Sequence, residues 1–339
     1  MRILVTGGAG FIGSHISTQL LTRGDDVAIL DNFVNSSPLV IDRIEAITGR
    51  RPEVLTVDLL DLAATTAAFR GFSADAVVHC AGLKSVAESV AHPAAYYRAN
   101  LVSTLNVLDA MSATGVDALV FSSSATVYGD ADTMPLDESV RTGIGISNPY
   151  GRTKHMIEQI LADEASVRST LRFVALRYFN PIGAHPSGLI GESPTGTPNN
   201  LAPFVTQVAI GSRDHVTVFG DSYPTPDGTG VRDYIHVMDI ADGHLAALDR
   251  LRPGFAVYNL GTGQGRSVFD VIRGFEQTVG SPIPYRVAPP RRGDVAVSYA
   301  DPSKAARELD WAASRSIDEA CADAWRWQSM NPDGFAQRS

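Results

Sequence analysis

The chain has 339 residues, 44% of them hydrophobic and 19% charged, enough apolar content to bury a large core in two lobes. A formal net charge of −9 gives no general attraction for nucleic acid or an anionic membrane, so an anionic ligand has to be held by locally placed cations. No apolar run approaches the ~20 residues of a membrane span, and Met1 leads straight into an apolar strand, so neither anchor nor signal peptide is expected and a cytoplasmic location is.

The first element is the apolar run Arg2 to Thr6, which breaks into Gly7-Gly8-Ala9-Gly10-Phe11-Ile12-Gly13 and a helical pattern through Leu21. Strand, glycine turn and helix in that order bring backbone close to a pyrophosphate and aim free amides and the helix dipole at its charge. A second apolar run, Val27 to Leu30, ends in Asp31, at the distance where an acid accepts the adenosine ribose hydroxyls. Asp31 repels a 2′-phosphate, so the expected cofactor is NAD rather than NADP. Strands then alternate with helical segments: Val54 to Val57 before Asp58, Ala76 to His79 before Cys80-Ala81-Gly82, Ala118 to Phe121 before a serine run ending at Ser124. That alternation predicts an α/β fold on a doubly wound parallel sheet, with Asp58, Ala81, Gly82, Lys84 and Ser124 following strand ends where one ligand can touch them all.

Tyr150 and Lys154 follow in Asn-Pro-Tyr-Gly-Arg-Thr-Lys. A phenol with a reference pKa of ~10 becomes a base at pH ~7 only with about 4 kcal/mol of differential stabilisation of its phenolate. Residues four apart share a helix face, so Lys154, together with any cationic ring nearby, is expected to favour the ionised phenol. Such a pair also occurs on ordinary solvated helices; the glycine turn upstream is what gives it weight. Met156, Ile157, Ile160 and Leu161 continue the helix as a core stripe.

After Arg177 glycine and proline become dense, from Pro181 to Pro198, as in loops that wrap a ligand. A further run, Gly261-Thr-Gly263-Gln-Gly265 before Ser267, resembles a second dinucleotide turn but lacks the acid downstream; a tight strand-to-helix turn capped by Ser267 is the expectation. Cys80 and Cys321 are too few for a metal cluster and are expected to be reduced structural thiols. The histidines show no ligand spacing, so no metal is expected and His79, His185 and His236 are read as satisfied polar residues.

With these elements in place, the chain resembles the extended short-chain dehydrogenases/reductases, and among them the UDP-glucose (UDP-galactose) 4-epimerases. The resemblance runs nearly end to end through Met1 to Gly13, Ala81 to Lys84, Phe121 to Gly129, Leu176 to Pro181, Gly183 to Gly188, Pro198 to Leu201 and Asp227 to His236. It implies a Rossmann-type NAD domain over 1–177 and a smaller, mainly nucleotide-sugar-binding lobe over 178–339, some of whose segments return to the first. It places NAD against Gly7, Gly10, Phe11, Ile12, Gly13, Asp31, Asn32, Asn35, Asp58, Leu59, Cys80, Ala81, Gly82, Lys84, Asn100, Ser124, Tyr150, Lys154 and Phe179. Cys80 stands where the family often has an aromatic residue.

The UDP-hexose is implied to lie on Lys84, Ser124, Tyr150, Asn180, Asn200, Leu201, Thr217, Val218, Phe219, Arg232, Tyr234, Arg291, Asp294 and Ser298. Guanidinium forks suit a diphosphate in so acidic a chain. The implied chemistry is oxidation at C4, rotation of the 4-keto sugar and re-reduction, with Ser124, Tyr150 and Lys154 catalytic and NAD regenerated each turnover. Two rivals share part of this pattern. A nucleotide-sugar 4,6-dehydratase needs an acid and a base where this chain has Ala125-Thr126, and a silent NAD-binding sensor loses the catalytic pair retained here. The resemblance also implies a homodimer, and Ser298, at a position where a tyrosine restricts the hexose pocket, implies room for 2-acetamido sugars.

Overall fold

The structure is a computed structural model that describes residues 1–335 except 195, 197 and 292. Its first half alternates strand and helix: β1 (Arg2–Thr6), α1 (Phe11–Arg23), β2 (Asp26–Asp31), α2 (Leu39–Thr48), β3 (Glu53–Thr56), α3 (Leu62–Phe72) and β4 (Ala76–His79). Next come α4 (Val86–Ala91), α5 (Pro93–Tyr97), a π turn (Arg98–Val102), α6 (Ser103–Thr114), β5 (Ala118–Ser124), a 3-10 turn (Ala125–Tyr128), α7 (Pro149–Val167) and β6 (Arg172–Tyr178). The later chain holds β7 (Asn180–Ile182), α8 (Leu201–Ala209), β8 (Val216–Phe219), β9 (Val231–His236), α9 (Val237–Asp249), β10 (Gly254–Leu260) and β11 (Gly265–Ser267). It ends with α10 (Val268–Val279), β12 (Tyr285–Ala288), β13 (Val297–Ser298), α11 (Ser303–Leu309) and α12 (Ile317–Met330).

Seven strands form one parallel sheet in the order β10-β6-β5-β4-β1-β2-β3. Val5 and Val120 face one layer of packed helices and Leu4, Leu119 and Phe121 the other, so alternate residues of nearly continuous apolar strands fill two separate cores. The strand order reverses between β1 and β4, and a parallel sheet opens its ligand crevice at the carboxyl ends beside that reversal. The last strand of the sheet, β10, comes from the later chain and lies against β6, and α9 packs on α1. The predicted runs are found, with β5 extended through all three serines and α7 reaching Val167. Within the stripe on α7, Ile157 and Leu161 are buried while Met156 is exposed.

A smaller sheet centres on β9, which pairs with β7, β11 and β13, and has its own core with α8, α10 and α12. Asp233 of β9, fully buried, fastens this lobe. Its carboxylate accepts Thr262 N at 2.9 Å, Thr262 Oγ1 at 2.6 Å, Gly263 N at 3.0 Å and Ala300 N at 3.2 Å. The second glycine turn is therefore closed on a protein carboxylate, and Ser267 caps α10 in a capping box with Asp270, as the tight-turn expectation requires. Burial raises the Asp233 pKa, against the pull of these donors. Asp233→Ala leaves the buried Ala300 amide and the partly buried Thr262 and Gly263 amides without their acceptor, at up to about 1–3 kcal/mol each. Thermal unfolding should therefore register a fall in Tm large enough to populate unfolded chain at 37 °C; a Tm within a degree or two of wild type contradicts the account.

Candidate active site

The glycine turn begins where β1 ends. Gly7 has φ +65°, and a Cβ there meets Ala81 N at 2.7 Å, so the turn after β1 and the loop after β4 touch across the point of strand reversal. A Cβ on Gly13 stands 2.2 Å from the Gly7 carbonyl oxygen, so the first turn of α1 sits directly on the strand end. No side chain caps α1, whose N-cap is Gly10, and the amides of its first turn lack intrahelical acceptors. A cradle of bare backbone at an uncapped helix N-terminus fits the pyrophosphate of a dinucleotide. Asp31 closes it: Oδ2 accepts Ala9 N at 3.0 Å, while Oδ1 accepts Phe33 N at 2.9 Å and Ser36 Oγ at 3.0 Å.

The other expected cofactor positions divide by what their side chains already do. Ala81, Gly82 and half-buried Cys80 line the loop after β4, and Phe11 sits at the mouth of α1 under the Lys84 ammonium, 5.8 Å from its ring centre. Asn32 and Asp58 are exposed and accept Val34 N at 3.2 Å and Leu60 N at 2.9 Å; Asn35 is exposed and half-buried Ile12 packs on the core. Leu59 packs into the core, and its carbonyl accepts Asn106 Nδ2 at 2.7 Å. Asn100 is buried with its amide engaged: Oδ1 accepts Leu83 N at 2.8 Å, and Nδ2 donates to Leu83 O at 3.1 Å and Thr153 Oγ1 at 3.0 Å. It pins the 81–84 loop to α7. Phe179 is buried against Val127, Tyr128 and Ala300.

The proton-handling residues converge at the end of β5. Lys154 is buried and donates to the Ser122 carbonyl at 2.7 Å, with its ammonium 4.6 Å from the Phe121 ring centre and 5.9 Å from that of Tyr150. Burial lowers its pKa to about 8, opposed by the charges of Cys80 and Glu158. The phenol of Tyr150 is pushed up by burial, with a Ser124 hydrogen bond pulling it down. The Lys154 ammonium lies against the Ser122 carbonyl. Ser124 Oγ in turn accepts Thr126 N at 3.2 Å and Thr126 Oγ1 at 3.0 Å, so the turn bearing Ala125 and Thr126 offers no carboxylate to the site.

Opposite lies the sheet around β9. Asn180 is the register partner of Tyr234, and Ser298 of Arg232, so Asn180, Tyr234, Arg232 and Ser298 lie along one face. The Arg232 guanidinium is paired with Asp294, and that of Arg291 stacks 3.9 Å from the centre of the Phe219 ring. Tyr234 is pushed up to about 12 by burial. On β8, Thr217 and Phe219 alternate with Val216 and Val218, which enter the core; Val218 thus has only backbone to offer a ligand. Asn200 and Leu201 begin α8. Lys84 and Asn200, both expected to contact the UDP-hexose, share one acid: Glu192 Oε1 lies 2.8 Å from Lys84 Nζ and 2.7 Å from Asn200 Nδ2. No sequence pattern singles out Glu192, which stands in a glycine- and proline-rich loop and acts through tertiary contact alone.

The sequence profile described as the NAD dependent epimerase/dehydratase family matches residues 3–261. The chain belongs to this family. Among similar proteins, the UDP-glucose 4-epimerase of Bacillus subtilis is 51% identical over 337 residues, 99% of each chain. That of Homo sapiens is 51% identical over 346 residues, 100% of this chain and 99% of its own. The crystal structure of UDP-glucose 4-epimerase from Bifidobacterium longum, in complex with NAD+ and UDP, superposes with a TM-score of 0.96 at 50% identity, over 99% of this chain and 100% of the other. The matched span ends just after β10, so the last strand of the large sheet falls within the epimerase/dehydratase region although it follows α8 and β9 in sequence.

The tight Gly7–Gly13 contact yields a direct test. Gly13→Ala drives a Cβ into the Gly7 carbonyl and forces the cradle open, so protein purified with this substitution should release less than a tenth of the wild-type dinucleotide on denaturation. Equal dinucleotide content in the two proteins shows that the turn is not the cradle.

Proposed function

We propose that this protein interconverts UDP-glucose and UDP-galactose by inverting C4 of the hexose. The observation that carries the reading is the convergence of Ser124, Tyr150 and Lys154 on the carboxyl end of β5, facing a sheet whose arginines suit a diphosphate. C4 bears no acidic hydrogen, so inversion requires a ketone; when bound, NAD supplies the reversible two-electron oxidation. Tyr150 takes the proton from the C4 hydroxyl and later returns it, with Ser124 hydrogen-bonded to the same oxygen. Lys154 stabilises the charge that develops on the phenol. Arg232 and Arg291 hold the diphosphate, leaving the hexose free to present either face. Ala125 and Thr126 cannot supply the acid and base of a dehydration. A homodimer is part of the same proposal, supported by the apolar side chains of Val102, Leu105 and Met156 left exposed on the π turn, α6 and α7. Among the described residues no helix is long and apolar enough to cross a membrane, and the two unpaired thiols suit a cytoplasmic setting.

Purified protein given UDP-galactose and no added NAD should form UDP-glucose, and Tyr150→Phe should lower kcat by at least ~10²-fold with little change in nucleotide binding. Stoichiometric consumption of NAD with accumulation of a keto-sugar excludes the epimerase reading.

The β13 register bears on substrate breadth. Ser298 is opposite Arg232, whereas the next residue, Tyr299, turns to the other face, within 3.5 Å of a Cβ built on Gly265. A hydroxymethyl group on the Arg232 face supports the reading that Ser298 leaves room in the hexose pocket, and UDP-N-acetylglucosamine and UDP-N-acetylgalactosamine should be interconverted as well. Ser298→Tyr is expected to suppress the acetamido substrates at least tenfold while sparing UDP-galactose, since filling the pocket rejects the bulkier sugar by sterics. A wild-type enzyme inactive on both acetamido sugars rules this out.

A further inference from the structure

Behind the proton-handling pair lies a buried charge network that the reaction itself does not use. Glu158 is one helical turn beyond Lys154 on α7, with its side chain 2% exposed. Its Oε1 accepts Ser123 Oγ at 2.6 Å and Arg177 Nε at 3.0 Å, and its Oε2 accepts the second Arg177 nitrogen at 2.7 Å. Ser123 and Arg177 are register partners on β5 and β6, so one carboxylate grips two adjacent strands from above. The far side of Arg177 donates to Tyr128 Oη at 3.0 Å, and Tyr128 donates to Asn259 Oδ1 at 2.7 Å, tying in the 3-10 turn after Ser124 and the edge strand β10.

We propose that Glu158 is a positioning residue for C4 proton transfer: it clamps Ser123 and Arg177 beneath α7 so that Lys154 and Tyr150 meet Ser124 at a fixed height. This rests on the epimerase reading above. Three consecutive residues of β5 then each serve α7: the Ser122 carbonyl takes Lys154, the Ser123 hydroxyl takes Glu158, and the Ser124 hydroxyl serves Tyr150. The clamp is also electrostatic. The groups around the Lys154 ammonium are His79 at the end of β4 and Cys80 just after it, Tyr150 and Glu158 from α7, and Tyr178 at the end of β6 beside Cys80 and Tyr150. Burial keeps His79 and Tyr178 neutral and raises Cys80 to about 11, so Glu158, itself paired to Arg177, is the anion of the set at neutral pH.

The chain has only three lysines, Lys84, Lys154 and Lys304, so lysine-selective isotope labelling gives an NMR spectrum in which Lys154 is assigned by one substitution. In purified Glu158→Gln protein the Lys154 midpoint should move down by about one pH unit, because an anion that favours the ammonium is gone. The alkaline limb of kcat for UDP-galactose should move with it at unchanged KM. A Lys154 midpoint and pH profile that superimpose on wild type overturn the proposal while the epimerase reading stands; a wild type without turnover overturns that reading itself. If Glu158→Gln does not fold, Ser123→Ala, which leaves the Glu158–Arg177 pair intact, decides: kcat should fall about tenfold at unchanged KM and recover in Ser123→Thr. An unchanged kcat in Ser123→Ala overturns the proposal.

Discussion

The parallel ladder between β5 and β6 sets the geometry on which the rest of the site depends. It places Ser122, Ser123 and Ser124 opposite Leu176, Arg177 and Tyr178, with β10 continuing the row so that Asn259 lies beside Arg177. A slip of one residue turns every side chain to the other face of a sheet buried on both sides. Ser123 and Arg177 then no longer meet Glu158, and the Ser122 carbonyl no longer meets Lys154. The apolar residues upstream, from Leu119 to Phe121 and from Phe173 to Ala175, are completely buried and fix that register by packing alone. A polar machine at the strand ends is thus held in place by an apolar core a few residues away.

The same economy governs charge. The chain is acidic, and three of the cations near the crevice are held by protein carboxylates: Arg232 by Asp294, Lys84 by Glu192, Arg177 by Glu158. These pairs differ in kind. The Arg177 pair is buried and bidentate, and removing one partner strands the other in low dielectric, so it belongs to the framework. The Lys84 and Arg232 pairs are partly open to solvent, where an ion pair contributes about 0–1 kcal/mol and exchanges readily. A diphosphate offering several anionic oxygens can displace such carboxylates, whereas a neutral ligand cannot.

Much of this was legible in the chain because strand, glycine turn and helix carry local signals. The Gly7 to Gly13 turn, Asp31 at the end of β2 and the i, i+4 spacing of Tyr150 and Lys154 all follow from residues close in sequence. What escaped depends on contacts distant in sequence. Glu192 bridges Lys84 and Asn200, and Asp233 closes the second glycine turn; no local pattern distinguishes these acids from ordinary polar residues. Leu59 and Val218 mark the reverse case, residues expected at the ligand whose side chains the core claims instead.

The electrostatics of Tyr150 follow from dielectric. Placing an ammonium on the same helix face as a phenol lowers the phenol's pKa only if that charge outweighs the loss of water around the phenolate. Here Lys154 is itself desolvated, with its pKa down to about 8, and its ammonium lies against the Ser122 carbonyl. Burial holds the phenol above its ordinary value, against a Ser124 hydrogen bond that pulls it down. Phenolate requires a second positive charge in the same crevice, and the neighbouring glycine cradle is shaped for a dinucleotide whose oxidised ring carries one. A positive charge placed there favours the phenolate by electrostatics, with no moving part needed.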